Sequence, residues 1–71
     1  MSSKIEFFAA FDAVLGELAE EIDWQYAGED ILAAGPSVKN VEVAVAKLRD
    51  AGYEPSTSAV NLLSRYRRQQ N

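Results

Sequence analysis

Residues 4–23 read KIEFFAAFDAVLGELAEEID, and the spacing of the apolar residues in this stretch decides the fold class. On a helical wheel that advances about 100° per residue, the large apolar side chains fall within an arc of about 120°, the width typical of a core-facing stripe. These side chains are Phe7, Phe8, Phe11, Val14, Leu15, Leu18 and Ile22. The acidic residues lie outside that arc: Glu6, Asp12, Glu17, Glu20, Glu21 and Asp23. The pattern predicts an amphipathic α-helix over residues 4–23.

Both ends of this first helix carry local signals. Ser3 followed three residues later by Glu6 is a capping box, in which each side chain accepts a backbone N–H of the other residue. At the other end, residues 24–27 are able to add one more turn before Gly28 supplies a left-handed C-terminal cap. In that case Trp24 points away from the apolar stripe.

The rest of the chain predicts three further helical segments. Residues 29–34 suit a short helix with acidic residues in its first turn, ended by Gly35-Pro36. Ser37 is able to cap a helix that runs to Ala51 and stops at Gly52. Its inward residues recur at helical intervals and not in alternation: Val38, Val41, Ala44, Val45 and Leu48.

After Pro55, either Ser56 or Thr57 is able to cap a last helix. Its inward residues are Ala59, Leu62, Leu63 and Tyr66, and residues 67–71 are expected to fray. The sequence therefore predicts an all-α fold, a small compact bundle of three to four helices that forms a single domain over residues 1–71.

The small size of the chain makes self-association an expected source of stability. At 71 residues, a core supplies only about 3–5 kcal/mol unless a disulfide, a metal or a second subunit adds to it. The chain has no cysteine and no histidine, which removes disulfides and the commonest transition-metal ligands. We therefore expect a homodimer. No apolar run reaches the roughly 18 residues needed to cross a bilayer, and the N-terminus does not resemble a secretory signal, so a soluble, cytoplasmic protein is expected.

Charge is divided unevenly along the chain, although the net charge is only −4. Residues 1–35 hold one lysine against eight carboxylates, a net charge of −7, whereas residues 36–71 hold six basic residues against three acidic ones, a net charge of +3. The two halves are able to attract each other within a monomer or across a dimer.

Residues suited to catalysis are scarce. Without histidine or cysteine, only lysine-assisted nucleophiles remain, and Ser2 and Ser3 beside Lys4 are better explained as helix-capping residues. The acidic cluster of Glu17, Glu20, Glu21 and Asp23 is more typical of a solvated helix face than of a metal site. Glycine-rich phosphate loops and calcium-loop spacings are absent. We expect a protein that is not an enzyme and has no cofactor and no metal.

The residues that we expect to bind a partner lie on the first helix. Three phenylalanines within eleven residues are many for a core this small, so part of the stripe is expected to pack against another chain. Trp24 is a second candidate, although it could instead close one end of the core. The predicted partner-binding residues are Phe7, Phe11, Glu17, Glu20, Glu21 and Trp24. The predicted function is a helical protein–protein interaction module, a regulator or inhibitor that occupies a partner's surface.

The alternative is a nucleic-acid-binding protein that uses the basic second half. A helix, a turn containing Gly52 and a basic helix resemble a helix-turn-helix, which implies a last helix in the major groove with Lys47, Asn61, Arg65 and Arg68 as contacts. The spacing departs from that motif, because Ala59 and Leu62 come one residue late for its buried aliphatic positions. The acidic first helix would also repel phosphate.

Overall fold

Residues 4–70 form three α-helices and one 3-10 helix. A computed structural model describes residues 4–70, apart from the side chain of Glu29. The elements are α1 (Lys4–Gln25), the 3-10 helix (Gly28–Ala34), α2 (Gly35–Asp50) and α3 (Thr57–Gln70). No strand occurs in this described part, and the predicted all-α class is confirmed.

Helices α1 and α3 run in the same direction and pack against each other, whereas α2, which lies between them in the chain, runs in the opposite direction. Near one end, the Ser56 N–H donates to Asp12 Oδ1 at 2.9 Å, and further along both helices Arg65 pairs with Asp23. At the start of α1, the Phe8 ring lies 6.2 Å from the ring of Tyr53, which follows the end of α2. All four elements therefore contribute residues to one hydrophobic core.

The core is made of aliphatic side chains from every element. In α2 and α3, the inward residues predicted from the sequence are confirmed. All of them are buried except Ala44 and Tyr66, which are partly buried and pack against the core. The buried hydrophobic residues of the core are Leu15, Ala19, Ile22, Ile31, Ala34, Val38, Val41, Val45, Leu48, Ala59, Leu62 and Leu63. Burial of this aliphatic surface is the main contribution to the stability of the fold.

The core-facing surface of α1 differs from the predicted one. Leu15 and Ile22 are buried and Phe8 is half-buried, but Phe7, Phe11, Val14 and Leu18 are exposed. The reason lies in two small residues, Gly16 and Ala19, which are both buried and allow α3 to approach α1 closely. A Cβ atom on Gly16 would lie 3.1 Å from Ser56 Oγ. The helix is therefore rotated so that only one edge of its apolar arc faces the core.

Two glycines adopt the left-handed conformations predicted for them. Gly28 has φ of 60° and follows α1, and Gly52 has φ of 83° and follows α2. At the second position, the Gly52 N–H donates to Arg49 O and the Tyr53 N–H to Leu48 O, both at 2.9 Å. These two bonds form a Schellman motif, which satisfies carbonyls that the helix end leaves without intrahelical partners.

Several helix boundaries were predicted incorrectly. The short helix ends at Ala34 as predicted, but no loop follows it, because Gly35 and Pro36 form the first turn of α2, where proline lacks only an N–H that has no helical acceptor. Ser37 is therefore inside α2 and is not its N-cap. The hydroxyl of Ser56 has no hydrogen-bond partner in the described structure and does not cap α3, and α3 continues through residues 67–70 instead of fraying. The predicted Ser3–Glu6 capping box involves Ser3, which lies outside the described residues.

Candidate protein interaction surface

The most prominent surface feature is a row of exposed apolar side chains on α1. We call Phe7, Phe11, Val14 and Leu18 the outer stripe; their exposed fractions are 66%, 39%, 66% and 45%. Their spacing of four, three and four residues places them in one line along the helix, as in the apolar seam of a coiled coil. The outer stripe is one edge of the apolar arc whose other edge forms the core.

Aromatic contacts hold the N-terminal end of the outer stripe in place. The rings of Phe7 and Phe11 are nearly parallel with centroids 6.3 Å apart, and Phe7 meets Phe8 edge-on at 5.8 Å. All of these separations fall in the range of favourable aromatic pairs. Because Phe8 is anchored in the partly buried layer beside Tyr53, the exposed rings are attached to the core through it.

A groove separates the N-terminal end of the outer stripe from α2. It has a volume of about 240 Å³, and its lining is almost entirely apolar. Its lining residues are Phe7, Phe8, Phe11, Lys47 and Leu48. Lys47 had been predicted as a nucleic-acid contact, and the structure places its side chain against phenylalanines. An aliphatic lysine stem is suited to such a position, because it covers apolar surface while the ammonium group stays in water.

The exposed area of the outer stripe is large for so small a protein. A phenylalanine side chain offers about 150–250 Å², and the stripe as a whole exposes on the order of 400 Å² of apolar surface. Contiguous apolar patches of this size mark interaction sites more often than isolated exposed residues do. Among the predicted partner-binding residues, Phe7 and Phe11 belong to this surface. Val14 and Leu18 were missed because the helical wheel assigned them to the core.

The other predicted partner-binding residues also lie on α1, and two of them border the outer stripe. Glu17 and Glu21 follow Val14 and Leu18 by three residues each, so they border the stripe at its C-terminal end. Together with Glu20 and Trp24 they line a shallow depression, and Trp24 is 83% exposed. The proposal that Trp24 closes one end of the core is therefore wrong. Glu20 is turned partly toward α3, since it accepts a hydrogen bond of 2.8 Å from the Ser58 hydroxyl.

Arg65 lies in a different position from the one predicted. Its side chain is only 19% exposed and reaches across from α3 to the end of α1. The guanidinium donates to the carbonyl of Asp23 at 3.1 Å, to that of Gly28 at 3.0 Å and to that of Tyr26, and it also pairs with the Asp23 carboxylate. These carbonyls belong to the end of a helix and the turn after it, where acceptors lack intrahelical partners. The structure thus uses Arg65 as a clamp between α1 and α3.

The remaining residues of the predicted nucleic-acid contact set are not brought together around Arg65. Asn61 and Arg68 are exposed on α3, whereas Lys47 lines the groove beside α1. The neighbouring Arg67 pairs with Glu42 of α2 at 3.6 Å. Near the start of α3, the Ser58 hydroxyl also faces α1, where it donates to Glu20.

Membrane-spanning and metal-binding features are absent from the described part of the chain. No helix within residues 4–70 combines the length and the apolar character required to cross a bilayer. Among the same residues, no group of three or more acidic, cysteine or histidine side chains is arranged to hold a metal ion. Comparison with protein-family models, with curated proteins and with solved structures finds no match to this chain.

Proposed function

We propose that this chain is a non-enzymatic protein–protein interaction module, a regulator or inhibitor that acts by occupying a partner's surface through α1. The observation that carries the proposal is the exposure of the outer stripe. Four apolar side chains in a line are kept in water on a helix whose opposite edge is well buried. A chain of this size gains little from an exposed apolar row unless another surface covers it.

The position of the outer stripe suits recognition between helices. Helix-in-groove complexes depend on apolar anchors spaced three and four residues apart, and Phe7, Phe11, Val14 and Leu18 have this spacing. The acidic residues at its C-terminal border favour a partner with basic residues beside its apolar contact. The predicted homodimer would use the same surface, as would a different protein of matching shape.

A direct test compares two charge-introducing variants in affinity capture from the host, with and without nuclease. Phe7→Asp with Val14→Asp disrupts the outer stripe, while the matched control Leu32→Asp with Val43→Asp places the same two charges on apolar residues outside α1 that are 44% and 52% exposed. We expect the control to retain the captured partner and the stripe variant to lose it, with unchanged helicity in circular dichroism. Equal retention by both folded variants would reject the outer stripe as the functional surface.

The acidic border is tested separately. Glu17→Lys with Glu21→Lys, and in a second variant Trp24→Ala, alter the face beside the outer stripe without changing a core residue. A partner with basic residues beside its apolar contact should be captured several-fold less well by the lysine variant. This loss should be smaller in high salt, because salt screens the charges. Unchanged capture by both variants would restrict the contact to the outer stripe.

The alternative DNA-binding function has less support from the geometry. Arg65 is engaged by three carbonyls and a carboxylate of its own chain, so binding to a phosphate or a guanine would require it to release the end of α1. We expect no sequence-specific binding to duplex DNA in physiological salt, as measured by fluorescence anisotropy. Tight, salt-sensitive binding that Arg68→Ala abolishes would favour the alternative.

A further inference from the structure

We propose that the outer stripe packs against the outer stripe of a second copy of the chain, with the two α1 helices antiparallel. The inference rests on the proposed function in one respect, since it assigns an occupant to the same surface. It goes further by specifying which copy-to-copy contacts form and in which direction the helices run.

The line of the outer stripe continues into a charged residue at each end. Lys4 precedes Phe7 by three residues, and Glu21 follows Leu18 by three residues. With the four apolar residues between them, the spacing is three, four, three, four and three, which is an unbroken heptad pattern. The exposed seam of α1 therefore begins with a positive charge and ends with a negative one.

Antiparallel pairing makes these ends complementary. When the two helices are aligned on the centre of the outer stripe, Lys4 lies opposite Glu21 of the second copy, and the same contact recurs at the other end by symmetry. Parallel alignment would instead place lysine against lysine and glutamate against glutamate. Charge complementarity therefore favours the antiparallel pair, as does the opposite direction of the helix dipoles.

The sizes of the apolar side chains favour the same direction. In the antiparallel alignment, Phe7 lies opposite Leu18 of the second copy and Phe11 lies opposite Val14. Each large ring thus meets a smaller aliphatic side chain, and the four layers have similar total volumes. In parallel alignment, two successive layers would each hold two phenylalanines, which crowd the seam, and the next layer would hold two valines, which leave space.

The area available predicts a weak, reversible dimer. Two stripes of about 400 Å² each bury on the order of 800 Å², below the roughly 1,200–2,000 Å² of a standard stable interface. We expect a dissociation constant on the order of 10–100 µM in low salt. At lower concentrations, the outer stripe would be free for a different partner.

The test is a charge exchange measured by sedimentation equilibrium in low salt. Lys4→Glu and Glu21→Lys each convert two attractive contacts per dimer into two repulsive ones, so each should raise the dissociation constant about 5- to 20-fold. The double variant restores both contacts in reversed polarity and should return the constant to within about threefold of the original. As a matched control, Lys39→Glu makes the same charge change on α2, where it is expected to have little effect. Circular dichroism verifies that all four variants remain helical.

The outcomes separate this inference from the proposed function. Weakening by both single variants with recovery in the double variant supports the antiparallel pair. The inference is overturned if the double variant shows no recovery. It is also overturned if the wild-type chain remains monomeric at about 1 mM, a concentration well above the expected dissociation constant. If the wild-type chain is monomeric but Phe7→Asp with Val14→Asp still abolishes capture of another protein, the proposed function stands and only this inference fails. A dimer that forms while those substitutions leave partner capture intact would reject the proposed function instead.

Discussion

The inner face of α1, formed by Leu15, Ala19 and Ile22, and the outer stripe are both apolar, but they differ in what surrounds them. Leu15, Ala19 and Ile22 are at most 4% exposed, whereas two members of the outer stripe, Phe7 and Val14, are both 66% exposed. The difference arises from the small residues, which allow α3 to approach only one side of the helix. An amphipathic pattern therefore indicates how much apolar surface a helix has, and neighbouring helices determine how much of it becomes core.

The two surfaces also differ in their polar neighbours. Along the inner side, carboxylates of α1 accept hydrogen bonds from α3 and the residue before it, at Ser56, Ser58 and Arg65. At its C-terminal end, the outer stripe is bordered by Glu17 and Glu21. Glu21 accepts a bond of 3.2 Å from Gln25 of its own helix. The inner side is thus joined to the rest of the chain, which leaves the outer side available for contacts with other molecules.

The largest expected effect comes from truncating one residue on each surface. Ile22→Ala should lower the free energy of unfolding by about 2–5 kcal/mol, because it removes buried methyl groups and leaves a cavity. Leu18→Ala, on the outer stripe, should change it by less than about 1 kcal/mol. Urea denaturation below about 1 µM protein measures both variants where the expected dimer is dissociated. If Ile22→Ala unfolds the chain outright, Ile22→Val provides a milder test of about 0.5–1.5 kcal/mol. Equal losses at the two positions would contradict the distinction between the surfaces.

A smaller effect is expected from removing the Arg65 side chain, which joins α3 to the end of α1. Arg65→Ala removes the donors for three carbonyls of the α1 end and the following turn, and it should cost about 1–3 kcal/mol of stability in thermal or urea unfolding. Arg68→Ala removes the same charge from an exposed position and should cost less than about 0.5 kcal/mol. Arg65→Lys keeps the charge but lacks the planar fork, so an intermediate loss is expected. Matching values for Arg65→Ala and Arg68→Ala would show that the clamp contributes nothing to stability.

The smallest expected effect tests how closely α3 approaches α1. Gly16→Ala adds a methyl group 3.1 Å from Ser56 Oγ, a hydroxyl that has no hydrogen bond in the described structure and is therefore able to rotate away. Since alanine is favoured over glycine inside a helix by about 1 kcal/mol, we expect an unchanged or slightly higher melting temperature. The larger Gly16→Val should lower it, because the added methyl groups meet the segment before α3. A marked loss with alanine would indicate that this approach tolerates no additional atom.

Much of the fold could be predicted from local sequence signals. The stripes of α2 and α3 were placed correctly because each of these helices has one apolar side, while most of its other residues are polar. Gly28 and Gly52 were expected in left-handed conformations, which favour glycine, and both adopt them; Gly52 ends α2, whereas α1 ends at Gln25 and Gly28 begins the 3-10 helix. Gly35-Pro36 marked the end of the short helix correctly, but the prediction of a Ser37 cap was wrong, because the same pair forms the first turn of α2.

The interaction surface was predictable only in part, since its limits depend on packing between distant segments. Phe7 and Phe11 were selected because the aromatic content exceeded the needs of a small core. Arg65 was placed outward because its acceptors lie 37–42 residues earlier in the chain, and no local pattern announces them. The composition of α1 also hides the rotation of the helix, because it has other small residues, Ala9, Ala10 and Ala13, and no local signal shows that α3 packs at Gly16 and Ala19.

The clamp formed by Arg65 has a consequence for how the protein emerges from the ribosome. Translation supplies α1 first, yet the residue that satisfies its terminal carbonyls is made 42 residues after Asp23. At about 5–20 residues per second, this interval lasts roughly 2–8 s. During this time, α3 is not yet available to cover its side of α1, so α1 keeps part of its apolar surface exposed for longer than any later helix of this chain.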